Sequence, residues 1–211
     1  MIPLNQKIKK EKHKEIARAQ DLIIEELYKV FEKAVIHGGT AIWRCYQGNR
    51  FSEDIDAYIE SNKEKINIFF DNLEKIGFIP LKKKITNNSI YSNFQFNRVN
   101  VRFEAIFKRK ESILKDYETY DGNFITVYTL ATEDLIEEKT NAYLSRLKIR
   151  DLYDIFFLLK YVKDKNKAKK DIERLIKGFK EPVDKQDLKV IIIQGLVPDP
   201  KDMLNYIKSW I

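Results

Sequence analysis

The sequence is poor in the residues that build covalent or metal-held scaffolds. Its 211 residues include one cysteine, Cys45, and two histidines. A single cysteine excludes an intramolecular disulfide framework, and so few histidines argue against a zinc site. No run of eighteen apolar residues occurs, and the lysine-rich N-terminus lacks the apolar stretch of a signal peptide. These absences predict a cytoplasmic protein without a transmembrane helix.

The composition is that of a folded chain with a basic balance. A hydrophobic content of 44% is enough to bury a core, in one compact domain or two small ones. The formal net charge is +7, and lysines cluster in "KIKKEKHK", "LKKK", "KRK" and "KDKNKAKK". Each cluster alone is most simply a solvated face. Together they favour a polyanionic partner, such as nucleic acid or nucleotide phosphate.

Hydrophobic periodicity divides the chain into an α/β half and a helical half, with a boundary near Leu130. In the first half it predicts strands in "AVIHGG", "EDIDAYIE", "SIYSNFQFN", "VNVRFEAIFK" and "FITVYTL". Helices are predicted from Lys7 to Lys33, from Thr40 to Gly48 and from Lys63 to Ile76. The pattern is helical from Thr132 onward, with breaks near 178–182 and 195–200.

The stretch "VIHGGTAIWRCYQGNRFSEDIDAYIE" places a Gly-Gly turn ahead of two acids on one strand face. Asp54 and Asp56 alternate with apolar residues, so their carboxylates lie side by side. Mg²⁺, which prefers hard oxygen ligands, would neutralise such a pair. A Gly-Gly turn that leads into a helix offers backbone N–H groups to a phosphate. The ordered combination predicts phosphoryl or nucleotidyl transfer.

Two familiar phosphate-binding motifs are excluded. "GGT" lacks the Lys-Ser/Thr that follows the last glycine of a Walker P-loop, and the third glycine of a dinucleotide fingerprint is missing.

Two segments resemble a known family. "HGGTAIWRCYQGNRFSEDIDAYI" is similar to the GGTAL…R-x-S-x-D-x-D signature of the AbiEii/AbiGii-type nucleotidyltransferase toxins, of the polymerase-beta-like nucleotidyltransferase superfamily. "EDLIEEKTNAYLSRLKIRDLYDIFFLL" is similar to the family's E-K-x-x-A…R…R-D-L-Y-D-L pattern. The two segments occur in the family's order and cover under a third of the chain.

The resemblance implies an α/β fold, a polymerase-beta-like nucleotidyltransferase core with a mixed sheet flanked by helices. Residues 1–130 would form this core, including an N-terminal helix. Residues 131–211 would form a helical C-terminal domain that completes the active-site cleft.

The resemblance also implies roles for individual residues. The nucleotide would be held by Gly38, Gly39, Thr40, Arg50 and Ser52. Mg²⁺, or Mn²⁺ in its place, would be bound by Asp54 and Asp56. The superfamily has a third carboxylate on a later strand, for which Glu104 is the best candidate. Lys139 and Asp151 match a lysine and an acid that the toxins use in catalysis.

Simpler interpretations of several of these residues stay open. Lys139 and Asp151 would otherwise form a structural ion pair between two helices, and Glu104 would pair with Arg102 or with a neighbouring lysine. His37 is better explained as a strand-end histidine than as a catalytic one. The basic and aromatic stretch around Tyr91 is either a nucleic-acid surface or, more simply, a hairpin that exposes a polar face.

The resulting hypothesis is a Mg²⁺-dependent nucleotidyltransferase. It would move a nucleoside monophosphate from a nucleoside triphosphate (NTP) to an acceptor hydroxyl. By resemblance the acceptor would be the 3′ end of a tRNA, and the protein the toxin of a pair with a cognate antitoxin. Transfer of AMP to a protein is the first alternative. A non-catalytic nucleotide-binding module is the second.

Overall fold

The computed structural model describes residues 2–211, which form two compact units. The first unit comprises the residues up to Gln47 together with Phe51–Leu130, and the second comprises Gly48–Arg50 and Ala131–Ile211. The helices of the first unit are α1 (Leu4–Lys7), α2 (Glu11–Val30), α3 (Gly38–Cys45) and α4 (Lys63–Lys75). Its strands are β1 (Val35–His37), β2 (Asp54–Ile59), β3 (Ile79–Ile85), β4 (Ser89–Phe96), β5 (Val99–Phe107), β6 (Ile113–Glu118) and β7 (Phe124–Thr129).

Helix α2 forms where apolar residues recur at helical spacing. Ile16, Ile23 and Leu27 are fully buried along one stripe, as the periodicity predicted. The helix is shorter than the predicted range from Lys7 to Lys33, because Ile8 adopts an extended backbone and is itself buried. The turn before it, α1, is therefore a separate element.

The strands form one mixed sheet in the order β3-β4-β5-β2-β1-β7-β6 within residues 2–211. β2 pairs in parallel with β5, and β1 pairs in parallel with β7. The remaining neighbours pair antiparallel. The predicted mixed sheet is thereby confirmed, and β2, the strand with the two aspartates, is its central strand.

The two faces of the sheet differ in polarity. On one face Ile55 and Ala57 are fully buried, and Phe69 of α4 packs against Phe103 of β5 with ring centroids 5.0 Å apart. The residues between them, Asp54 and Asp56, point to the opposite face and are half-buried. Strand alternation thus turns the carboxylates away from the core.

Helix α3 begins two residues before the predicted start at Thr40 and ends at Cys45, short of Gly48. The glycines therefore lie in its first turn and do not form a loop ahead of it. Trp43 and Cys45 are buried, and burial raises the pKa of the Cys45 thiol to about 12. Such a thiol stays protonated at neutral pH.

The two edge strands were the least visible in the sequence. The periodicity assigned no strand to Ile113–Glu118, because "ILKDYE" alternates poorly and carries three charged residues. Lysines dominate β3, whose antiparallel pairing with β4 matches the hairpin considered for this stretch. Charged side chains are typical of edge strands, where they oppose pairing with other chains.

The second unit is helical, as predicted from Thr132 onward. Its helices are α5 (Thr132–Arg146), α6 (Ile149–Leu158), α7 (Lys165–Gly178), α8 (Leu188–Ile191) and α9 (Pro200–Trp210). The predicted breaks coincide with the end of α7 and the start of α9, where Asp199 caps the helix and Pro200 occupies its first turn. Across the described residues, no helix is long and apolar enough to span a membrane.

Candidate active site

The Gly-Gly segment forms the junction between β1 and α3. Gly38 has a φ of +68°, in the left-handed region that glycine adopts at least cost. A Cβ at Gly38 would collide with Oδ2 of Asp56. Because glycine has no side chain, the Asp56 carboxylate lies directly against the first turn of α3. The N–H groups of that turn have no partner within the helix and suit an anion.

Three carboxylates occupy neighbouring positions on two parallel strands. Asp54 and Asp56 lie on β2, and Glu104 of β5 is the register partner of Asp56. His37, at the end of β1, is the partner of Asp56 on its other side. Adjacent strands lie about 4.8 Å apart, so Glu104 stands one strand spacing from Asp56 on the same face.

Arg102 of β5 lies among these carboxylates. Its guanidinium forms an ion pair with Asp54, and its Nε lies 3.0 Å from Oε1 of Glu104. Burial raises the pKa of Glu104; Arg102 opposes this rise, and the charges of Asp56 and Asp54 add to it. Arg102 therefore acts as the counter-charge of the cluster, and the pairing with Glu104 that the sequence left open is present.

The donor set suits a hard divalent cation. Asp54 and Asp56 offer carboxylate oxygens on one face, and the missing Cβ of Gly38 leaves room for Asp56 beside the helix N-terminus. Among residues 2–211, however, no group of three or more His, Cys, Asp or Glu side chains is close enough to hold one metal ion. The chemistry of the two aspartates fits Mg²⁺, and in this structure both Asp54 and Glu104 are paired with Arg102.

Thr40 and Ser52 take part in contacts that hold the segments around β2. The buried Thr40 hydroxyl donates a hydrogen bond to the carbonyl oxygen of Asp54. Gln20 of α2 donates from Nε2 to the carbonyl oxygen of Ser52 at 2.9 Å. These contacts fix the start of β2 relative to α3 and α2. The predicted nucleotide contacts of Thr40 and Ser52 stay predictions.

A buried charge cluster anchors the other end of α3. Arg44 is 1% exposed, forms an ion pair with Asp21 of α2 and donates to the carbonyl oxygen of Ala17 at 3.2 Å. The Tyr117 hydroxyl also donates to Asp21, at 3.0 Å. Since a buried charge is stable only when paired and hydrogen-bonded, this cluster holds α3 in one orientation.

His37 packs against Tyr58, the next residue along the polar face of β2. Their rings are stacked, with centroids 4.1 Å apart and planes 11° apart. This contact suits the interpretation of His37 as a strand-end histidine that the sequence favoured.

The second unit contains a separate network of buried charged side chains. The ammonium of Lys139 lies 2.8 Å from Oδ2 of Asp154 and 3.5 Å from Oδ1 of Asp151. Arg146 binds both oxygens of Asp151 at 2.8 Å. Both aspartates are fully buried and Lys139 is 7% exposed. Lys139 and Arg146 of α5 thus face the aspartates of α6.

Arg50 belongs to the same network. Its guanidinium binds Asp154 through two hydrogen bonds of 2.5 Å, across 104 residues of sequence. Burial opposes ionisation of Asp154, but Arg50 and then Lys139 outweigh it and lower the pKa of this carboxyl. Arg50, predicted to neutralise phosphate charge, is 4% exposed and neutralises a carboxylate of its own unit.

Comparison with known protein families identifies the chain. A family model described as the nucleotidyl transferase AbiEii toxin of a type IV toxin–antitoxin system matches residues 25–200. The chain belongs to the AbiEii family. The protein is therefore a nucleotidyltransferase, as the two sequence segments predicted. No curated protein sequence matches the chain significantly.

Solved structures share the fold of this AbiEii-family protein at low sequence identity. JHP933 from Helicobacter pylori is 20% identical with a TM-score of 0.66, over 95% of this chain and 90% of its own. MenT4, a nucleotidyltransferase toxin from Mycobacterium tuberculosis, is 17% identical with a TM-score of 0.63, over 92% and 81%. These likenesses confirm the polymerase-beta-like architecture.

For this AbiEii-family chain, the sequence signature brought Gly38, Asp54 and Asp56 together correctly. It gave no indication that Gln20 binds the Ser52 carbonyl or that Arg50 binds Asp154. In the sequence, Gln20 is a polar residue beside the apolar stripe of α2, which could have indicated a buried hydrogen bond. For Arg50 no local signal exists, because its partner lies in a distant helix.

Proposed function

We propose that the protein is a Mg²⁺-dependent nucleotidyltransferase that moves a nucleoside monophosphate from an NTP to the 3′ end of a tRNA. The observation that carries the proposal is the contact of Asp56 with Gly38. It puts one carboxylate of the aspartate pair against the N-terminal turn of a helix, which joins a metal-binding group to a phosphate-binding one.

The reaction is an in-line displacement at the α-phosphorus of the NTP. The oxygen of the acceptor hydroxyl forms a bond to this phosphorus, the bond to the bridging oxygen breaks, and pyrophosphate leaves. The acceptor proton passes to a carboxylate or to water. In this scheme the first turn of α3 binds the phosphates. Asp54 and Asp56 would hold the metal, and Glu104 would be the third carboxylate once Arg102 leaves it.

When bound, Mg²⁺ supplies positive charge to the phosphate oxygens and neutralises the charge that develops on them. Asp54 is paired with Arg102, so Asp54 would have to exchange this partner to hold the metal. The guanidinium of Arg102 would then be available on the same face, where it would suit a phosphate.

Lys139 and Asp151 have a role in the proposal through the family resemblance. Lys139 would contact a phosphate, and Asp151 would orient its ammonium or act as a base. The ion pairs of Lys139 with both aspartates hold its ammonium in one position. The same contacts would exist if the pair were purely structural, so substitution of Lys139 has to be compared in activity and in stability.

The basic balance of the chain supports an RNA acceptor. A protein hydroxyl is the alternative acceptor, which would make the enzyme a protein AMP-transferase. Membership of a toxin–antitoxin family supports a cognate antitoxin as partner.

The test is incubation of the purified protein with total tRNA, Mg²⁺ and each α-labelled NTP in turn. We expect label in tRNA with one nucleotide. Asp54→Asn should abolish it. Glu53→Gln is the matched control, because it removes an equal charge from the exposed neighbouring residue. Label on protein alone would move the acceptor to a protein, and bound nucleotide without transfer would favour a binding module.

A further inference from the structure

The carboxylate face continues across the sheet onto the outer hairpin β3–β4. Glu104 of β5 is the register partner of Tyr91 of β4, which is the partner of Lys84 of β3. One pleat away, Arg102 is the partner of Asn93, which is the partner of Lys82. We call Lys82, Lys84, Tyr91 and Asn93 the outer platform. It starts one strand spacing, about 5 Å, from Glu104.

The outer platform combines an aromatic ring with cations. The ammonium of Lys82 lies 4.8 Å from the centroid of the Tyr91 ring, and Lys82 and Lys84 are exposed. Tyr91 is half-buried and shares a side-chain hydrogen bond with Arg102. A fixed aromatic ring beside lysines is the arrangement that binds single-stranded nucleic acid, because the base stacks on the ring while the ammonium groups meet phosphates.

The sheet order gives the outer platform a direction relative to the reaction. β1, which leads into the phosphate-binding turn at Gly38, lies on one side of β2, and β5, β4 and β3 lie on the other. An in-line displacement requires the acceptor to approach opposite the leaving pyrophosphate. With the phosphates bound at Gly38, the acceptor must come from the side of β5, which is the side of the platform.

We propose that the outer platform binds the single-stranded end of a nucleic-acid acceptor, with Tyr91 stacking on a base and Lys82 and Lys84 binding phosphates. The proposal rests on the proposed function, since it names where the acceptor lies. Protection of an edge strand explains lysines on β3, but it does not explain Tyr91 and Asn93 on the inner strand β4. Edge protection also does not explain why the platform residues lie on the same face of the sheet as the carboxylates.

The test measures binding of a short single-stranded RNA, labelled with a fluorophore at its 5′ end, to the full-length protein without NTP. Tyr91→Ala should weaken binding about 5- to 150-fold, whereas Tyr91→Phe should keep the affinity because the ring remains. Lys82→Gln and Lys84→Gln should each make the slope of log K against log salt concentration shallower by roughly 0.7. Melting curves check that each variant is folded.

Lys83→Gln is the matched control. Lys83 lies between the two platform lysines but points to the other face, where its ammonium lies 3.9 Å from the centroid of Phe70. It should leave RNA affinity and salt dependence unchanged. The platform proposal would be overturned if Lys83→Gln and Lys82→Gln lost equal affinity for the RNA. It would also be overturned if a folded Tyr91→Ala bound the RNA with full affinity. Displacement of the RNA by an equimolar polyglutamate peptide of similar charge would also overturn it.

A transfer assay separates this proposal from the proposed function. If the wild-type protein labels RNA and Tyr91→Ala does so with unchanged KM for RNA, the function stands and the platform fails. If the wild-type protein binds RNA through Tyr91 but labels no acceptor, the platform stands and the proposed transfer fails. If the wild-type protein does not bind single-stranded RNA, the platform fails.

Discussion

The carboxylate cluster around Arg102 in the first unit and the network around Asp154 in the second unit differ most in their access to water. In the first unit the side chains of Asp54, Arg102 and Glu104 are 24%, 38% and 38% exposed. In the second unit the side chains of Asp151 and Asp154 are 0% and 1% exposed. Both clusters contain carboxylates beside an arginine, but only the first is solvated enough to exchange one partner for another.

This difference predicts different consequences of substitution in the two clusters. A half-exposed ion pair contributes little to stability, so Arg102 can be replaced by another cation at small cost. A buried pair is costly to break, because the remaining charge has neither water nor a partner. We therefore expect substitutions in the first cluster to change activity before stability, and substitutions at Arg50 and Asp154 to change stability first.

The largest expected effect comes from breaking the buried network. Arg50→Met leaves Asp154 buried with Lys139 as its only remaining close cation among the described contacts. We expect the free energy of unfolding of the second unit to fall by about 3–5 kcal/mol. Urea denaturation measures it in a Trp43→Phe background. There Trp210, in the second unit, is the remaining tryptophan and reports on that unit.

The control for Arg50→Met is Lys185→Met in the same unit. Lys185 forms a 2.6 Å ion pair with Glu181, but both side chains are about half exposed, at 46% and 48%. It should lower the free energy of unfolding by at most about 1 kcal/mol. Similar losses for the two variants would remove the distinction between buried and exposed pairs.

The second effect concerns the contact between Gly38 and Asp56. Gly38→Ala should cost about 1–2 kcal/mol of stability for its left-handed backbone and should displace the Asp56 carboxylate. Since a misplacement of about 1 Å is enough to slow catalysis about 10²-fold, the transfer rate should fall by about that factor. Gly77→Ala imposes similar backbone strain at φ +98°, but its Cβ would meet only Phe96, at 3.9 Å. Gly77→Ala should lose stability and keep activity; a matching loss of activity would show that the Asp56 contact is unimportant.

The smallest effect is the pH dependence of the buried network. Because the folded-state pKa of Asp154 is lowered, its contribution to stability is present above the ordinary aspartate pKa and is lost as pH falls through the lowered value. Arg50→Met removes the main cause of the lowering. The wild-type protein should therefore have a higher free energy of unfolding than Arg50→Met at pH 7. This difference in free energy should become smaller below about pH 4. A difference that stays constant down to pH 2.5 would contradict this assignment.

The sequence predicted the core of the site because local rules govern it. The alternation of "EDIDAYIE" depends on strand geometry, and it correctly put Asp54 and Asp56 on one face. It did not predict that Gly38 begins α3, because the helix start depends on the room beside Asp56. Glu104 was selected through its alternation in β5, but its position next to Asp56 required the parallel register of two strands far apart in sequence.

The outer platform illustrates the same limit. A hairpin with a polar face followed from "LKKKITNNSIYSNFQFNR", and Tyr91 was recognised as a candidate for base stacking. Which lysines share the face of Tyr91 depends on the register of β3, and that register shifts between Pro80 and Lys82. Counting residues in a sequence cannot locate such an irregularity, and a shift of one residue turns each side chain to the other face.

By itself the sequence determined the family, the division into an α/β half and a helical half, and the chemical character of the aspartate pair. These follow from short-range periodicity and from motifs whose residues lie close together in the chain. Only the tertiary structure decided the partners of the charges: Arg102 with Asp54 and Glu104, Arg50 with Asp154, and Tyr91 beside Glu104. Partnership between charges depends on distance and burial in space, which residues far apart in sequence acquire only when the chain folds.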